Sequence, residues 1–315
     1  MTEPRTAWQR YGWIARWLGT GAGVAYIIHR VNFTEAKVAA RRLSLATIAI
    51  ACGLIALNVI CGAVRWRVLL RAYGARSRPS LARCTKLYFI AFFYNNYLPG
   101  AVAGDVVRGV VTRDAFGEHG TTGALAVVVV ERALGLFGVF LLLALGLGLA
   151  GGAIDVGSLW LWSGIGIAGS IAIVLALPFA RAIARKLSAG RVRTILERMP
   201  ELGDGRAFAI ATVLSIVTQA LVALAGYVLL HAIDPRVDLG GSLLIVPLAA
   251  ATTFLPITVG GAGARETVYI SLGASLFAMP EGDALAASLA LWLAHLVNGA
   301  IGGALQLTER AKPTR

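Results

Sequence analysis

The sequence predicts an all-α polytopic membrane protein with about six spanning helices and two re-entrant half-helix hairpins, arranged as an inverted-topology repeat. Three observations support this prediction: an apolar composition, basic residues clustered in particular loops, and a motif that occurs twice. Of the 315 residues, 57% are hydrophobic and 14% are charged, and the mean hydropathy is +0.74. A soluble domain of this length could not bury so much apolar surface, so a bilayer is the expected solvent.

Apolar stretches long enough to cross a bilayer, which takes about 20 residues, occur six times along the chain. They are 14–29, 43–64, 121–150, 158–180, 207–231 and 284–308. Two further apolar stretches, 81–105 and 241–280, are interrupted by proline and glycine. Each is predicted to form two half-helices joined by an irregular turn, because such backbone is tolerated at membrane depth only where protein surrounds it or where it lines a cavity.

Basic residues predict the orientation of the chain. They are concentrated between positions 65 and 86, between 181 and 206, and in the tail after 309, whereas the connections near Asp155, Asp234 and Glu281 hold very few. By the positive-inside rule the first group is cytoplasmic and the second lies outside. We therefore expect a multi-pass protein of a bacterial inner (plasma) membrane with both termini in the cytoplasm. The basic loop 30–42 does not fit, because this scheme places it outside.

Metal, cofactor and nucleic-acid binding are not predicted. The three cysteines, Cys52, Cys61 and Cys84, have neither metal-ligand spacing nor the even count of a disulfide framework. A formal net charge of +13 would suit nucleic-acid binding in a soluble protein. Here the basic residues lie between apolar runs, so we expect them to face anionic lipid headgroups.

The motif Leu-Pro-x4-Gly-x3-Arg occurs at 98–108 and again at 255–265, almost half the chain later. The charge-derived topology places the first copy in a hairpin entered from the cytoplasm and the second in a hairpin entered from outside. Paired broken segments of this kind are typical of inverted repeats and mark their substrate sites. We therefore predict two repeats, 1–157 and 158–315, each with two helices, a hairpin and a third helix.

The repeated motif has the chemistry of an anion site. The N-terminus of a half-helix carries unpaired N–H groups and partial positive charge. Gly104 and Gly261 would allow a headgroup to approach the backbone, and Arg108 and Arg265 would hold its phosphate. Two alternatives stay open: Arg108 could be a cytosolic charge at a helix end, and Arg265 could form a buried structural pair with Glu266.

Other polar residues near the motifs are also candidate substrate-binding residues. Asp105 could cap the following half-helix or bind a proton or a substrate group. Glu131 and Arg132 either lie at membrane depth as a paired charge or are interfacial, with the span starting just after them. Asn95 and Asn96 either satisfy the freed backbone of the broken helix or line a path.

The segment 92–108, with its Asn-Asn-Tyr-Leu-Pro-Gly and Gly-Asp-Val-Val-Arg strings, resembles the lysylphosphatidylglycerol synthase transmembrane-region family. The pair Glu131-Arg132 and the segment 255–266 strengthen this resemblance, which covers nearly the whole chain. In the multiple peptide resistance factor this region is the flippase part, and a separate soluble domain attaches the amino acid to phosphatidylglycerol. These 315 residues contain no counterpart of that domain, so the resemblance implies lipid translocation and not aminoacylation.

The leading hypothesis is a flippase or transporter for an anionic or headgroup-modified lipid: a phospholipid, an aminoacyl-phospholipid or a polyprenyl-phosphate-linked lipid. A second hypothesis is an integral-membrane lipid-linked transferase with Asp105 or Glu131 as base. A third is a non-transporting partner of a lipid-modifying enzyme. Because no nucleophile or base arrangement typical of an enzyme is evident, we predict no enzymatic activity and no catalytic residue. Expected partners are membrane lipids with anionic headgroups, with a homodimer or a lipid-modifying enzyme as further options.

Overall fold

The computed structural model describes residues 7–98, 102–149, 159–187, 190, 193, 196–197, 199–253 and 261–310. Within these ranges the chain forms α-helices and short 3-10 segments and contains no β-strand, as the sequence predicts. The α-helices are α1 Ala7–Arg30, α2 Phe33–Ala40, α3 Leu45–Ala72, α4 Leu81–Tyr97, α5 Ala103–Val111, α6 Gly120–Leu149, α7 Leu159–Ala176, α8 Ala180–Lys186, α9 Gly205–Ile233, α10 Leu239–Thr252, α11 Ala264–Phe277 and α12 Glu281–Arg310. The 3-10 segments are Arg113–His119 and Leu177–Phe179.

Four helical stretches within the described ranges are long and apolar enough to cross a membrane. They are Leu45–Ala72, Arg113–Leu149, Gly205–Ile233 and Glu281–Thr308. They confirm four of the predicted spans, and each is longer than the stretch predicted for it. The other two predicted spans fall on α1, which is not among the four, and on α7, whose apolar part Ser163–Ala176 is shorter. The chain is a multi-pass α-helical membrane protein.

One end of the helix bundle joins α3, α9, α5 and α6. The N–H groups of Gly203 and Asp204 both donate to the carbonyl of Ala72, at 2.8 and 3.2 Å. The N–H of Arg76 donates to the carbonyl of Ala115, at 2.8 Å, so the segment after α5 returns to this same end. These connections belong to the basic segments that the sequence assigns to the cytoplasm.

At the opposite end of the bundle, the contacts of Arg42 show how the basic loop 30–42, which does not fit the positive-inside rule, is accommodated. Arg42 Nη1 donates to Asp283, at 2.8 Å, and to the carbonyl of Ile233 at the end of α9, at 3.2 Å. The positive charge of Arg42 is therefore compensated by a carboxylate and by the negative end of a helix. Beside it, a hydrogen bond from Arg236 holds the pKa of Asp234 below its usual range.

The predicted stretch 81–105 forms a hairpin of two helices, α4 and α5. Gly104 permits their contact, because a Cβ at this position would lie 1.9 Å from the carbonyl oxygen of Ala91. The turn containing Pro99 lies outside the described residues. The N–H of Arg76, before α4, donates to Ala115, after α5, so the segments that flank this pair of helices are in contact.

The predicted stretch 241–280 likewise forms two packed helices, α10 and α11. The ring of Phe277 fills the space beside Gly241, where a Cβ would lie 2.0 Å from it. Gly261 has a φ of +80° and lies against Thr253, so it turns the chain back toward α10 where other residues would be strained. The second Leu-Pro, at Pro256, lies outside the described residues.

Each hairpin packs against the last long helix of the other half of the chain. Helix α4 lies on α12, helix α10 lies on α6, and α3 and α9 pack against each other between them. Glycines allow close crossings here: a Cβ on Gly302 would lie 1.9 Å from the carbonyl oxygen of Phe89, and one on Gly146 would lie 2.9 Å from the backbone of Leu243. Through this reciprocal packing, each hairpin lies against a long helix of the other half of the chain.

Candidate functional site

A buried ionic cluster forms where α3, α4, α5 and α6 meet, with Glu131 at its centre. The carboxylate of Glu131 accepts hydrogen bonds from Arg65, at 3.0 and 3.2 Å, from Tyr88 Oη, at 2.9 Å, and from Arg108. Because α6 begins at Gly120, Glu131 lies well inside a spanning helix and is 3% exposed. Glu131 is therefore a buried, paired charge within the helix that carries the third predicted span.

Arg108 is fixed by charges and by aromatic rings. It pairs with Glu131 and with Asp105, the latter at 3.2 Å, and its guanidinium carbon lies 4.3 Å from the ring centroid of Trp66 and 4.4 Å from that of Tyr88. The side chain is 2% exposed, and its Nε has no hydrogen-bond partner. Arg108 thus lies in the last turn of α5, at a helix end, but it is buried and paired instead of facing solvent.

Asp105 connects the cluster to the hairpin. It accepts hydrogen bonds from Arg132, at 2.6 and 2.9 Å, from Arg108 and from Asn95 Nδ2, at 3.3 Å. The interpretation that Asp105 caps the half-helix is wrong, because the cap position is Val102 and Asp105 lies inside the first turn of α5. Its negative charge still lies at a helix N-terminus, where it is stabilised.

The two asparagines before the first Leu-Pro have different partners. Asn95 Oδ1 accepts a hydrogen bond from the N–H of Gly104, at 2.9 Å, and so satisfies one of the free donors at the start of α5. Asn96 Nδ2 donates to the carbonyl of Phe92 one turn earlier, at 2.8 Å. Asn95 therefore satisfies the freed backbone, as one of the two interpretations expects, and both asparagines also line a cavity.

Arg65 is the residue that the sequence analysis missed. It was assigned to a basic loop, but α3 continues to Ala72 and carries Arg65 into the bundle, where it is buried. Its Nη1 donates to Ser215 and Thr218 on α9, at 3.2 and 3.1 Å. The one sequence signal was that the chain after position 64 contains no helix-breaking residue before Gly74.

A second ionic pair lies at the start of α11, in the other hairpin. Arg265 donates to Glu266 through Nε, at 2.8 Å, and through Nη2. Glu266 also accepts from the N–H of Gly263, at 2.8 Å, and from Ser288 Oγ, at 3.4 Å, so it closes the N-terminus of the helix. Arg265 lies 5.8 Å from the ring centroid of Trp292 and remains 16% exposed. The alternative of a buried structural pair thus describes Glu266 well, while Arg265 still lines a cavity.

Two adjoining cavities lie beside these charged groups. The smaller one, about 230 Å³, lies over the first cluster and includes Arg65, Asp105, Arg108, Glu131 and Arg132 in its lining. The larger one, about 750 Å³, extends past the second pair to α1 and α12 and is lined mainly by apolar side chains. Both cavities are lined by Phe92, Asn95, Gln219, Val222 and Thr253. The two arginine–glutamate sites are therefore separated by one shared wall.

The carboxylates offer little as general bases. Asp105 and Glu131, the two candidates of the transferase hypothesis, each accept hydrogen bonds from two arginines, and a base must have a free lone pair within reach of its proton. Among the described residues, no group of three or more His, Cys, Asp or Glu side chains could hold a metal ion. The geometry instead provides cationic and amide donors beside an apolar cavity, which is suited to binding an anion that carries hydrocarbon.

The fold and the two cavities define a polytopic helical membrane protein with charged sites inside the bundle. The sequence matches the family described as the lysylphosphatidylglycerol synthase TM region over residues 13–303, and the chain belongs to this family. A search of curated proteins gives no match to the chain. Family membership assigns the chain a role related to membrane lipids.

Proposed function

We propose that the protein translocates an anionic or headgroup-modified lipid between the two leaflets, without enzymatic chemistry. The observation that carries this proposal is the pair of cavities that share a wall and each contact an arginine–glutamate site. A headgroup bound at one site could reach the other by crossing only that wall. The amides of Asn95 and Gln219 in the wall offer hydrogen bonds during the passage, which lowers the cost of moving a polar group through the bundle.

The rim of the larger cavity is suited to the hydrocarbon of the lipid. Val24 and Ile28 on α1, Leu98 after α4, and Leu289 and Trp292 on α12 all line this cavity and are largely exposed. In a membrane protein such exposed apolar side chains face lipid tails. The acyl or prenyl chains would therefore stay in the bilayer while the headgroup enters the cavity from the side.

We further propose that the two hairpins enter a bacterial inner membrane from opposite faces, with both termini in the cytoplasm. Two observations support this arrangement: the reciprocal packing of α4 on α12 and of α10 on α6, and the return of the first hairpin to the end from which it starts. The two units would be residues 1–157 and 158–315. Inverted repeats place substrate sites at the junction of their broken helices, which is where the two cavities adjoin.

Translocation can be measured in liposomes that contain the purified protein and fluorescent phosphatidylglycerol, using a membrane-impermeant quencher. The wild-type protein is expected to expose inner-leaflet lipid faster than protein-free liposomes do. Arg265→Gln removes a charge-assisted contact and should slow the rate about tenfold. Arg113→Gln, at an exposed arginine outside both cavities, is the matched control and should not change the rate.

Two results would count against the proposal in different ways. If Arg265→Gln translocates at the wild-type rate, the assignment of this arginine to the headgroup is wrong. If wild-type liposomes behave like protein-free liposomes for every anionic lipid offered, the flippase function itself is wrong.

A further inference from the structure

The two sites differ in net charge, although both contain an arginine and a glutamate. The smaller cavity is lined by three guanidinium groups, from Arg65, Arg108 and Arg132, and by two carboxylates, from Asp105 and Glu131. No other charged side chain among the described residues lines this cavity. Counted over the described residues that line it, the cluster therefore carries one more positive charge than negative charge.

The larger cavity has no such excess. Its described charged lining consists of Arg265 and Glu266, which are bonded to each other. His295 also lines it, and its Nδ1 bonds the carbonyl of Leu291, at 2.8 Å, which requires a proton on that nitrogen and leaves Nε2 as an acceptor in the neutral ring. With His295 neutral, the described residues therefore offer an anion net positive charge at the smaller cavity and none at the larger one.

Two side-chain amides in the smaller cavity are available for hydrogen bonding. Asn58 on α3 and Gln219 on α9 both line it, and neither forms a hydrogen bond with any other described residue. Both amides are open to the cavity, so a polar group that enters it can pair with them. Their NH₂ groups would donate to the unesterified oxygens of a phosphate, next to the partly exposed Arg132, whose side chain is 30% accessible.

The size of the smaller cavity limits what can occupy it. At about 230 Å³ it is below the roughly 300–1,000 Å³ that is typical of sites for drug-sized ligands. A phosphate with a small alcohol can enter such a space, whereas two acyl chains cannot. The occupant is thus a headgroup whose chains remain in the larger cavity or in the bilayer.

We propose that the smaller cavity is a binding site for the single negative charge of a phosphodiester, the headgroup linkage of a membrane lipid. This inference rests on the proposed function in one respect, that the occupant is lipid-borne. One phosphodiester balances the excess charge of the cluster. A phosphomonoester carries about −1.5 to −2 at neutral pH and would leave buried negative charge. A zwitterionic headgroup such as phosphocholine has the same phosphodiester but adds a cation, which the excess positive charge of the cluster repels. Buried charge without a counter-charge is strongly unfavourable, so both should bind more weakly.

Ligand binding to the detergent-purified protein tests this inference without requiring transport. The melting temperature is measured with short-chain phosphatidylglycerol, phosphatidate and phosphatidylcholine, which share their chains and differ in headgroup charge. Dimethyl phosphate and inorganic phosphate serve as chain-free counterparts of the diester and the monoester. We expect phosphatidylglycerol to bind at least tenfold more tightly than the other two lipids. Binding by dimethyl phosphate would assign the site to the phosphodiester alone, and its absence would show that the lipid chains are also needed.

A charge-neutralising variant sharpens the result. Arg132→Gln removes the excess charge and should reduce the preference for phosphatidylglycerol over phosphatidylcholine to less than threefold. Arg83→Gln, at an exposed arginine outside both cavities, is the matched control and should keep the wild-type preference. The inference is overturned if wild-type protein binds phosphatidate or phosphatidylcholine as tightly as phosphatidylglycerol, or if Arg132→Gln keeps the full preference. If the preference holds but liposomes show no translocation, only the proposed function fails.

Discussion

Glu131 compensates most of the charge buried in the first cluster. Its two carboxylate oxygens receive donors from Arg65, Arg108 and Tyr88, which come from three different helices. Removing one partner of such a network leaves the others buried without a counter-charge, and this costs far more than the net contribution of the pair. Glu131 is therefore as important for positioning Arg108 as for the charge of the cavity.

Replacing the charge of Glu131 should strongly destabilise the protein. Glu131→Gln keeps the size of the side chain but leaves Arg65 and Arg108 with Asp105 as the remaining carboxylate of the cluster, and we expect a loss of about 3 kcal/mol. The measurement is thermal unfolding in detergent, read from tryptophan fluorescence. Glu118→Gln is the control, since Glu118 is exposed, and its melting temperature should equal that of the wild type. Equal melting temperatures for the two variants would show that the cluster does not stabilise the fold.

The candidate residues of the hairpins were predictable from the sequence, but the partners of those residues were not. The repeated motif identified Arg108 and Arg265 because an arginine beside a broken helix is chemically unusual. It could not identify Arg65, since a basic residue near the end of an apolar run is typical of a cytoplasmic loop. Only the length of α3 and its packing on α9 show that Arg65 is buried.

Helix α4 is held between two glycine contacts on opposite sides. Gly104 of α5 approaches the backbone at Ala91, and Gly302 of α12 approaches it at Phe89. Both contacts bring helix backbones closer than any side chain would allow, as small residues do in membrane helix packing. The position of the first hairpin, and with it the direction of Asp105 and Arg108, therefore depends on these two crossings.

A single methyl group at Gly104 should disturb the hairpin. In Gly104→Ala the new Cβ would meet a carbonyl oxygen at 1.9 Å, so the helices must separate, at a cost of about 1–3 kcal/mol. Gly53→Ala, within α3 and with no atom near the added Cβ, is the matched control and should be neutral or slightly stabilising. The comparison uses the melting temperature and the monodispersity of the two variants. The packing argument fails if the two substitutions have the same effect.

At the scale of the whole molecule, composition and periodicity predicted the helical class, the main spans and both broken segments. The contacts of α1 were less predictable. Helix α1 contacts the second hairpin where Gly23 lies against Gly263, with a Cβ on Gly23 falling 2.8 Å from that backbone. A glycine in a marginally apolar run gives no sign of such a contact, because its partner is more than two hundred residues away in the chain.

The last prediction concerns the orientation of the molecule in the membrane. Helix α9 has 29 residues and is therefore about 43 Å long, which exceeds the roughly 30 Å hydrocarbon core, so its two ends must lie on opposite faces. In a cysteine-free background, Gly203→Cys and Pro235→Cys place one thiol near each end. A membrane-impermeant maleimide should label Pro235→Cys in intact spheroplasts and Gly203→Cys only after permeabilisation, while detergent-solubilised protein is labelled at both. The reverse pattern would mean that each hairpin enters from the face opposite to the one proposed.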